Sequence, residues 1–171
     1  MTEALETLGN SEIGKLSHDF TYYRYLMNRG QMREAFRKIS IPEYIALHRI
    51  AVNQKEGINS DGRTYLKDLA EKMQLNIHQT SRMIRKLQEQ GLVYWSHDGN
   101  GSEGTYVIIT ETGQKLLEEQ EVVLKKYYGR VIGKFGKENL IQLLQLMRDL
   151  EQVMRSEIKV AEEEPYAESG E

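Results

Sequence analysis

Hydrophobic and polar positions along the chain predict a mostly helical protein with one β-hairpin. In several segments apolar residues recur at steps of three and four, which is typical of helices with one buried side. Two short runs rich in β-branched and aromatic residues instead predict strands joined by a glycine-rich tip. The predicted helices cover about residues 11–36, 40–52, 66–73, 77–90, 111–135 and 137–161, and the predicted strands cover 92–96 and 105–109.

Residues that commonly begin or end helices support these boundaries. Ser40 and Glu43 have the spacing of a capping box, in which the hydroxyl and the carboxylate bind free amides at a helix start. Asn76 is predicted to cap the helix over 77–90, Gly91 to end it, and Thr110 to cap the helix after the hairpin.

The same pattern predicts one domain with two extensions. We expect residues 1–10, which lack periodicity, to form a flexible extension, and the acidic residues 162–171 to form a disordered tail. Between them we expect a single domain over 11–161, made of long helices at 11–36 and 111–161 around a central part at 40–110.

Composition narrows the possible functions. The chain has 171 residues and no cysteine, which excludes disulfides, thiol nucleophiles, Cys-ligated zinc and a thiol redox switch. No apolar run reaches the ~20 residues that cross a bilayer, and the N-terminus does not resemble a signal peptide, so we expect no membrane contact and a cytoplasmic address. No catalytic motif is found, and we expect neither an enzyme nor a bound cofactor.

The distribution of charge points to nucleic acid. The formal net charge is -3, yet residues 63–97 carry six bases against three acids, whereas residues 98–171 carry nine bases against fifteen acids. Two helices joined by a short turn form a helix-turn-helix, whose second helix enters the major groove of duplex DNA. On the second predicted helix, the residues predicted to face inward are Ile77, Thr80, Ile84 and Leu87. Another side holds His78, Ser81, Arg82, Arg85 and Glu89, flanked by Gln79 and Lys86.

These residues suit DNA in different ways. Arg and Gln side chains form paired hydrogen bonds with base edges, Ser and Thr bond bases or phosphates, and Lys86 is expected to contact a phosphate. The alternative is an ordinary solvated helix face, which would usually carry more Glu. The residues expected to contact DNA are Asn76, His78, Gln79, Thr80, Ser81, Arg82, Arg85, Lys86, Asn100 and Ser102.

Several segments, taken in order, resemble the MarR (multiple antibiotic resistance regulator) family of winged helix-turn-helix transcription factors. The segments that carry the resemblance are Ser40–Leu47, Leu69–Met73, Leu75–Asn76, Ser81–Val93 and Ile109–Gly113. The resemblance implies an obligate homodimer whose first, fifth and sixth helices interlock, a pseudo-palindromic operator in double-stranded DNA, and a cavity for a small-molecule effector. The fold class expected is mostly α (α+β), a winged helix-turn-helix with long N- and C-terminal dimerisation helices.

The sequence departs from the family pattern at the turn and at the wing. Gln74 stands where the family's turn usually has Gly, which predicts local strain. Gly101 and Ser102 stand where the family's wing tip usually has an Asp followed by an Arg, and no Lys or Arg lies between Lys86 and Lys115. We therefore expect the wing to contribute weakly and Arg82, Arg85 and Lys86 to supply most of the affinity.

Several alternatives remain open on the sequence alone. His18, Tyr22, Tyr25, Tyr44 and His48 are candidates to line a cavity for an aromatic or phenolic effector. In the competing interpretation, Tyr23 belongs to the core and Tyr22 or Tyr25 to the dimer contact. The acidic total charge and the bare wing favour a winged-helix protein-interaction module without DNA binding, and His18 beside His48 would suit a metal-responsive regulator.

The glycines of the predicted hairpin tip also match a dinucleotide-binding motif. Gly99, Gly101 and Gly104 have the spacing G-x-G-x-x-G, but that motif binds a pyrophosphate where a strand leads into a helix. Here the run leads into a second predicted strand, so we expect no nucleotide site.

Overall fold

A computed structural model describes residues 9–28, 36, 38–56, 62–99 and 104–163. Within them the chain forms six helices and three strands. In chain order these are α1 (Asn10–Asn28), α2 (Ile41–Glu56), β1 (Thr64–Tyr65), α3 (Leu66–Met73), α4 (Ile77–Glu89), β2 (Val93–His97), β3 (Thr105–Ile109), α5 (Glu111–Phe135) and α6 (Lys137–Glu163).

The expected fold class is confirmed, because α3, a short turn, α4 and the β2–β3 hairpin follow one another as in a winged helix-turn-helix. The strands form an antiparallel sheet in the order β1-β3-β2. Val107 on the central strand lies opposite Thr64 of β1 on one side and Trp95 of β2 on the other. The sequence missed β1, because two residues are too few to show a period. Helix α1 ends at Asn28, whereas the sequence predicted a helix to about residue 36, and residues 29–35 lie outside the described part.

The chain divides into two compact units, residues 1–121 and 122–171, with the boundary inside α5. The core of the first unit joins α2, α3, α4 and the sheet. Its buried members include Leu47 and Ile50 from α2, Leu69 from α3, Ile84 from α4 and Val107 from β3. Helix α4 is therefore anchored on a continuous apolar core.

The turn between α3 and α4 is tight and strained at one residue. Gln74 has φ 53 and ψ 42, the left-handed conformation that glycine adopts most easily. Its amide donates to the carbonyl of Glu71, and the Leu75 amide donates to that of Ala70, which ends α3 abruptly. The strain predicted from Gln74 in place of Gly is confirmed by this φ value.

Helix α4 begins with a complete capping box. The Gln79 amide donates to Asn76 Oδ1 at 2.9 Å, and the Asn76 amide donates to Gln79 Oε1 at 3.0 Å. The Asn76 cap was predicted, but the part played by Gln79 was not. Gly91, with φ +72, follows the helix end as predicted.

The start of α2 departs from the predicted capping box. Glu43 accepts from the Ser40 amide at 2.8 Å, as expected, but the Ser40 hydroxyl also donates to Glu43, at 2.7 Å, instead of capping an amide. The carboxylate thus takes both hydrogen bonds. Helix α2 also continues to Glu56, beyond the predicted end near residue 52.

The junction of the hairpin with α5 explains a Thr and a Gly in the segment that resembles the family. The Thr110 hydroxyl donates to the Gly91 carbonyl and accepts from the Gly113 amide, so it caps α5 as predicted. A Cβ at Gly113 would lie 2.1 Å from the carbonyl oxygen of Leu92. Only glycine therefore allows the first turn of α5 to approach the end of the helix-turn-helix this closely.

The second unit contains the rest of α5 and all of α6. Gly136, with φ +94, lies between the two helices, and Asn139 Nδ2 donates to the Phe135 carbonyl at the end of α5. None of the described helices is both long enough and apolar enough to span a membrane. Residues 1–8 and 164–171, which include most of the two expected extensions, lie outside the described part.

Candidate nucleic-acid interface

One face of α4 is buried and the other is available for contact. Thr80, Ile84 and Leu87 are fully buried against the core, which matches the inward face predicted for them. Ile77 was predicted to face inward but is 44% exposed, because it lies at the first position of the helix, beyond the edge of the core. The opposite face of α4 is polar along its length.

Arg82 and Arg85 lie on this polar face and are exposed. Within the described part of the chain, no ion pair or hydrogen bond holds either guanidinium. His78 is exposed on the same side, and Ser81 is half-buried. The face therefore offers two charged groups whose hydrogen-bond donors suit base edges or phosphates.

Asn76 and Gln79 are exposed, but their side-chain oxygens already accept the two capping hydrogen bonds. A paired contact of Gln79 with adenine needs both the oxygen and the amide nitrogen. Each capping bond occupies one lone pair of a side-chain oxygen, so the NH₂ groups of these two side chains are the more available for DNA.

Thr80 is a correction to the predicted DNA-contact set. Its side chain has no exposed surface, and its hydroxyl donates to the Asn76 carbonyl at 3.0 Å. The side chain belongs to the core and cannot reach DNA. The 3.6-residue period had already assigned Thr80 to the inward face, and that assignment is the one confirmed.

Lys86 contacts its own chain. Its Nζ lies 2.6 Å from Oε1 of Glu43, whose side chain is only 7% exposed, whereas 59% of the Lys86 side chain remains exposed. Burial raises the pKa of the Glu43 carboxyl, but hydrogen bonds from Lys86 and Ser40 and the charge of Lys86 lower it more, so the net pKa lies below its usual value.

The wing, which is the β2–β3 hairpin, has a positively charged neighbour from outside the hairpin. Arg63, just before β1, holds its guanidinium 4.3 Å from the centre of the Tyr106 ring on β3. Because β1 pairs with β3, this residue joins a hairpin whose own strands contain no Lys or Arg. No sequence pattern indicates this arrangement, because 43 positions separate the two residues. Asn100 and Ser102, predicted to contact DNA from the wing tip, lie outside the described residues.

A groove of about 700 Å³ runs between α2 and α3. Of the five residues predicted to line an effector cavity, Tyr44 and His48 line this groove, together with Arg49, Asp68 and Lys72 among others. His18, Tyr22 and Tyr25 lie on α1 and do not line it. Tyr23, assigned to the core in the competing interpretation, is 63% exposed, so that part of the interpretation is wrong for the single chain.

Tyr44 and His48 have ordered neighbours. The Tyr44 ring packs edge-to-face on Phe36, with ring centres 5.5 Å apart, and lies 6.1 Å from the His48 ring. His48 Nε2 lies 3.9 Å from Oε1 of Glu121 at the end of the first unit. Among the described residues, no group of three or more His, Asp or Glu side chains has an arrangement that would hold a metal ion.

Comparison with known proteins agrees with this geometry. The model of the MarR family matches residues 56–100, the segment from the end of α2 through the helix-turn-helix to the wing. The resemblance to the MarR family is confirmed. No curated protein matches the chain in sequence.

Solved structures share the MarR fold with this chain. The S. aureus MepR–DNA complex is 16% identical with a TM-score of 0.66, and the match covers 79% of this chain and 97% of that one. NMB1585, a MarR family regulator from Neisseria meningitidis, is 19% identical with a TM-score of 0.64, over 86% and 98% of the two chains. The PcaV transcriptional regulator from Streptomyces coelicolor, in complex with its natural ligand, is 13% identical with a TM-score of 0.61, over 81% and 91%.

Proposed function

We propose that this protein is a DNA-binding transcriptional regulator that acts as a homodimer on a pseudo-palindromic operator, as a repressor that a small-molecule effector releases. In this proposal it catalyses no reaction. The role requires the compartment that holds the DNA, so the cytoplasmic address expected from the sequence is part of the proposal.

The observation that carries the proposal is the exposed face of α4. A helix anchored by Ile84 and Leu87 presents Arg82 and Arg85 outward without a described partner. In a helix-turn-helix this is the helix that enters the major groove, where Arg binds guanine through two hydrogen bonds. The MarR fold, shared with MepR in complex with DNA, supports the same use of the helix.

The apolar surfaces of the long helices support a homodimer. On α1, large side chains that recur at helical spacing are exposed, including Leu16, Phe20 and Met27. On α6 the exposed apolar side chains are Ile141, Leu143, Leu144, Leu146, Met147, Leu150, Val153, Met154 and Ile158. Monomeric soluble proteins rarely expose contiguous apolar surfaces of this kind, and a second copy of the chain would cover them.

The groove between α2 and α3 supports an effector site. Tyr44 offers an aromatic face there, and His48 and Arg49 offer polar groups, so an aromatic or phenolic ligand suits this wall. PcaV, solved with its natural ligand, has the same fold. An effector would act by binding better to a dimer whose recognition helices are spaced wrongly for the operator.

The decisive experiment is selection of bound duplexes from a random pool, followed by a salt titration with the selected duplex. We expect two half-sites about 34 Å apart, one helical turn of DNA, and an affinity that falls steeply with salt. Absence of binding to any duplex at low salt would contradict the proposal.

The second candidate is a winged-helix protein-interaction module. The net charge of -3 and the lack of Lys and Arg in β2 and β3 favour it. This candidate predicts no salt-dependent binding to duplex DNA.

A metal-responsive regulator is the third interpretation of the sequence. In that case the affinity for the operator would change on addition of a chelator.

A further inference from the structure

Glu43 is a buried carboxylate with a defined set of donors. Its side chain is 7% exposed and accepts from the Ser40 amide, the Ser40 hydroxyl and Lys86 Nζ, at 2.8, 2.7 and 2.6 Å. It lies in the first turn of α2, whose following residues Ala46 and Leu47 are fully buried. The carboxylate is therefore fixed to a rigid part of the core.

Lys86 is the one cation among these donors, and it belongs to α4. It lies in the last turn of that helix, next to Arg85 and four residues after Arg82. If its ammonium group left for a DNA phosphate, a buried carboxylate would lose its compensating charge, which is strongly unfavourable. The phosphate contact that the sequence suggests for Lys86 therefore competes with an interaction that already exists within the chain.

We propose that Lys86 is a positioning residue: its ion pair with Glu43 fixes the last turn of α4 against the start of α2 and so sets the direction in which Arg82 and Arg85 meet the DNA. This inference rests on the proposed DNA-binding function. It assigns to Lys86 a role in discrimination between DNA sequences and not in general attraction to phosphates.

A phosphate contact and a positioning role predict different dependences of DNA affinity on salt concentration. A cation that neutralises a phosphate contributes about 0.9 to the slope of log affinity against log salt, so its loss from both subunits lowers the slope by about two units. A cation already neutralised by Glu43 contributes little to that slope. Loss of a fixed helix direction instead reduces the preference for the correct sequence, because contacts with base edges depend on geometry.

The experiment compares K86M with R85M, its neighbour on the same helix, using the duplex selected from the random pool and a random duplex of equal length. We expect K86M to reduce the preference for the selected duplex about tenfold, which corresponds to the loss of one well-placed contact, and to leave the salt slope unchanged. We expect R85M, which removes a proposed contact with a base edge, to reduce this preference as well, and amide hydrogen exchange separates that direct loss from a change in helix position.

Two further variants separate positioning from a general structural effect. In K86R a guanidinium replaces the ammonium beside Glu43, and we expect it to restore most of the preference. In E43Q Lys86 keeps its charge but loses its ionic partner, and we expect the same loss of preference as in K86M, with no further loss in the double variant. Loss of affinity for both duplexes by one factor in K86M, with a lower slope and an unaffected E43Q, would identify a phosphate contact and overturn the proposal.

Amide hydrogen exchange, measured without DNA, tests the role of the Lys86–Glu43 pair independently of the proposed function. We expect K86M and E43Q to speed amide hydrogen exchange in α4 relative to α3, and R85M to leave it unchanged. If the wild-type chain binds no duplex, the proposed function fails, while the exchange rates still test whether the pair fixes the helix. Unchanged exchange in α4 in both variants would overturn the positioning role.

Discussion

Two residues show how single positions determine the winged helix-turn-helix. At Gly113 the first turn of α5 lies against Leu92, just after the helix-turn-helix, and a Cβ there would also lie 2.9 Å from Ile109 Cγ1. Glu43 holds a charge inside the protein through three hydrogen bonds. Neither requirement is visible in hydrophobic periodicity.

We expect Gly113→Ala to lower the free energy of unfolding by about 3 kcal/mol, because the added methyl group meets the backbone of Leu92, which cannot move aside without disturbing the core. The control is Gly129→Ala in the same helix, where nothing lies within 4 Å of the added Cβ and alanine should stabilise by about 0.5–1 kcal/mol. Urea unfolding measures both values. Equal effects of the two substitutions would contradict the close approach.

We expect the free energy of unfolding to fall more steeply with acid in the wild type than in Glu43→Gln. The pKa of Glu43 is lowered in the folded chain, so the unfolded chain binds the proton first and acid favours unfolding. This contribution is complete above the pKa of an unfolded Glu, about 4.3, and is lost as the pH falls through the lower, folded value. Parallel stability curves between pH 6 and pH 3 would show that the carboxylate makes no such contribution.

At the scale of elements, α4 and the β2–β3 hairpin carry unequal positive charge at the candidate interface. Helix α4 presents Arg82 and Arg85, while β2 and β3 contain no Lys or Arg, and Arg63 from outside the hairpin lies against β3. Tyr94 on β2 is 66% exposed, so the outer face of the hairpin is aromatic more than basic. The helix should therefore contribute more to DNA affinity than the strands.

We expect Arg82→Ala to weaken binding to the selected duplex by about 1–3 kcal/mol, because the guanidinium is the type of group that binds a base edge or a phosphate. Ser102→Ala, at the predicted wing tip, should cost less than about 0.5 kcal/mol, since no charge is lost. Fluorescence anisotropy at one fixed salt concentration measures the affinity of each variant for the selected duplex. Similar losses in both variants would contradict a weak wing.

At the scale of the whole molecule, the exposed apolar faces are the feature that a single chain does not explain. Leu150 is exposed on α6 among other apolar side chains, whereas Gln152 lies on a more polar side of the same helix. In a homodimer the apolar face would be covered and the polar side would stay in water.

We expect Leu150→Lys to shift the protein from dimer to monomer, because a charge would be buried at the subunit contact without a partner. Gln152→Lys adds the same charge two residues away and should leave the dimer intact. Sedimentation equilibrium distinguishes the two masses. A monomeric wild type, or dimers in both variants, would contradict the proposed interface.

The sequence by itself determined the order of the six helices and the β-hairpin, though not β1, because helical and strand periods are local properties that a single chain displays directly. The bounds of α5 and of β3, the Asn76 cap and the Gly91 helix end all follow from such local signals. The direction of the polar face of α4 follows from the same 3.6-residue period, and so does its pair of arginines.

Only the tertiary structure decided which side chains remain available for contact. Lys86 lies 43 residues after Glu43, and Tyr106 lies 43 residues after Arg63. No pattern along the chain predicts either contact. Which aromatic side chains line the groove also depends on how the helices pack, since Tyr44 and His48 line it and the tyrosines of α1 do not. The physical reason is that periodicity specifies which side of an element is apolar, whereas ion pairs and grooves form between elements whose distance in space is independent of their distance in sequence.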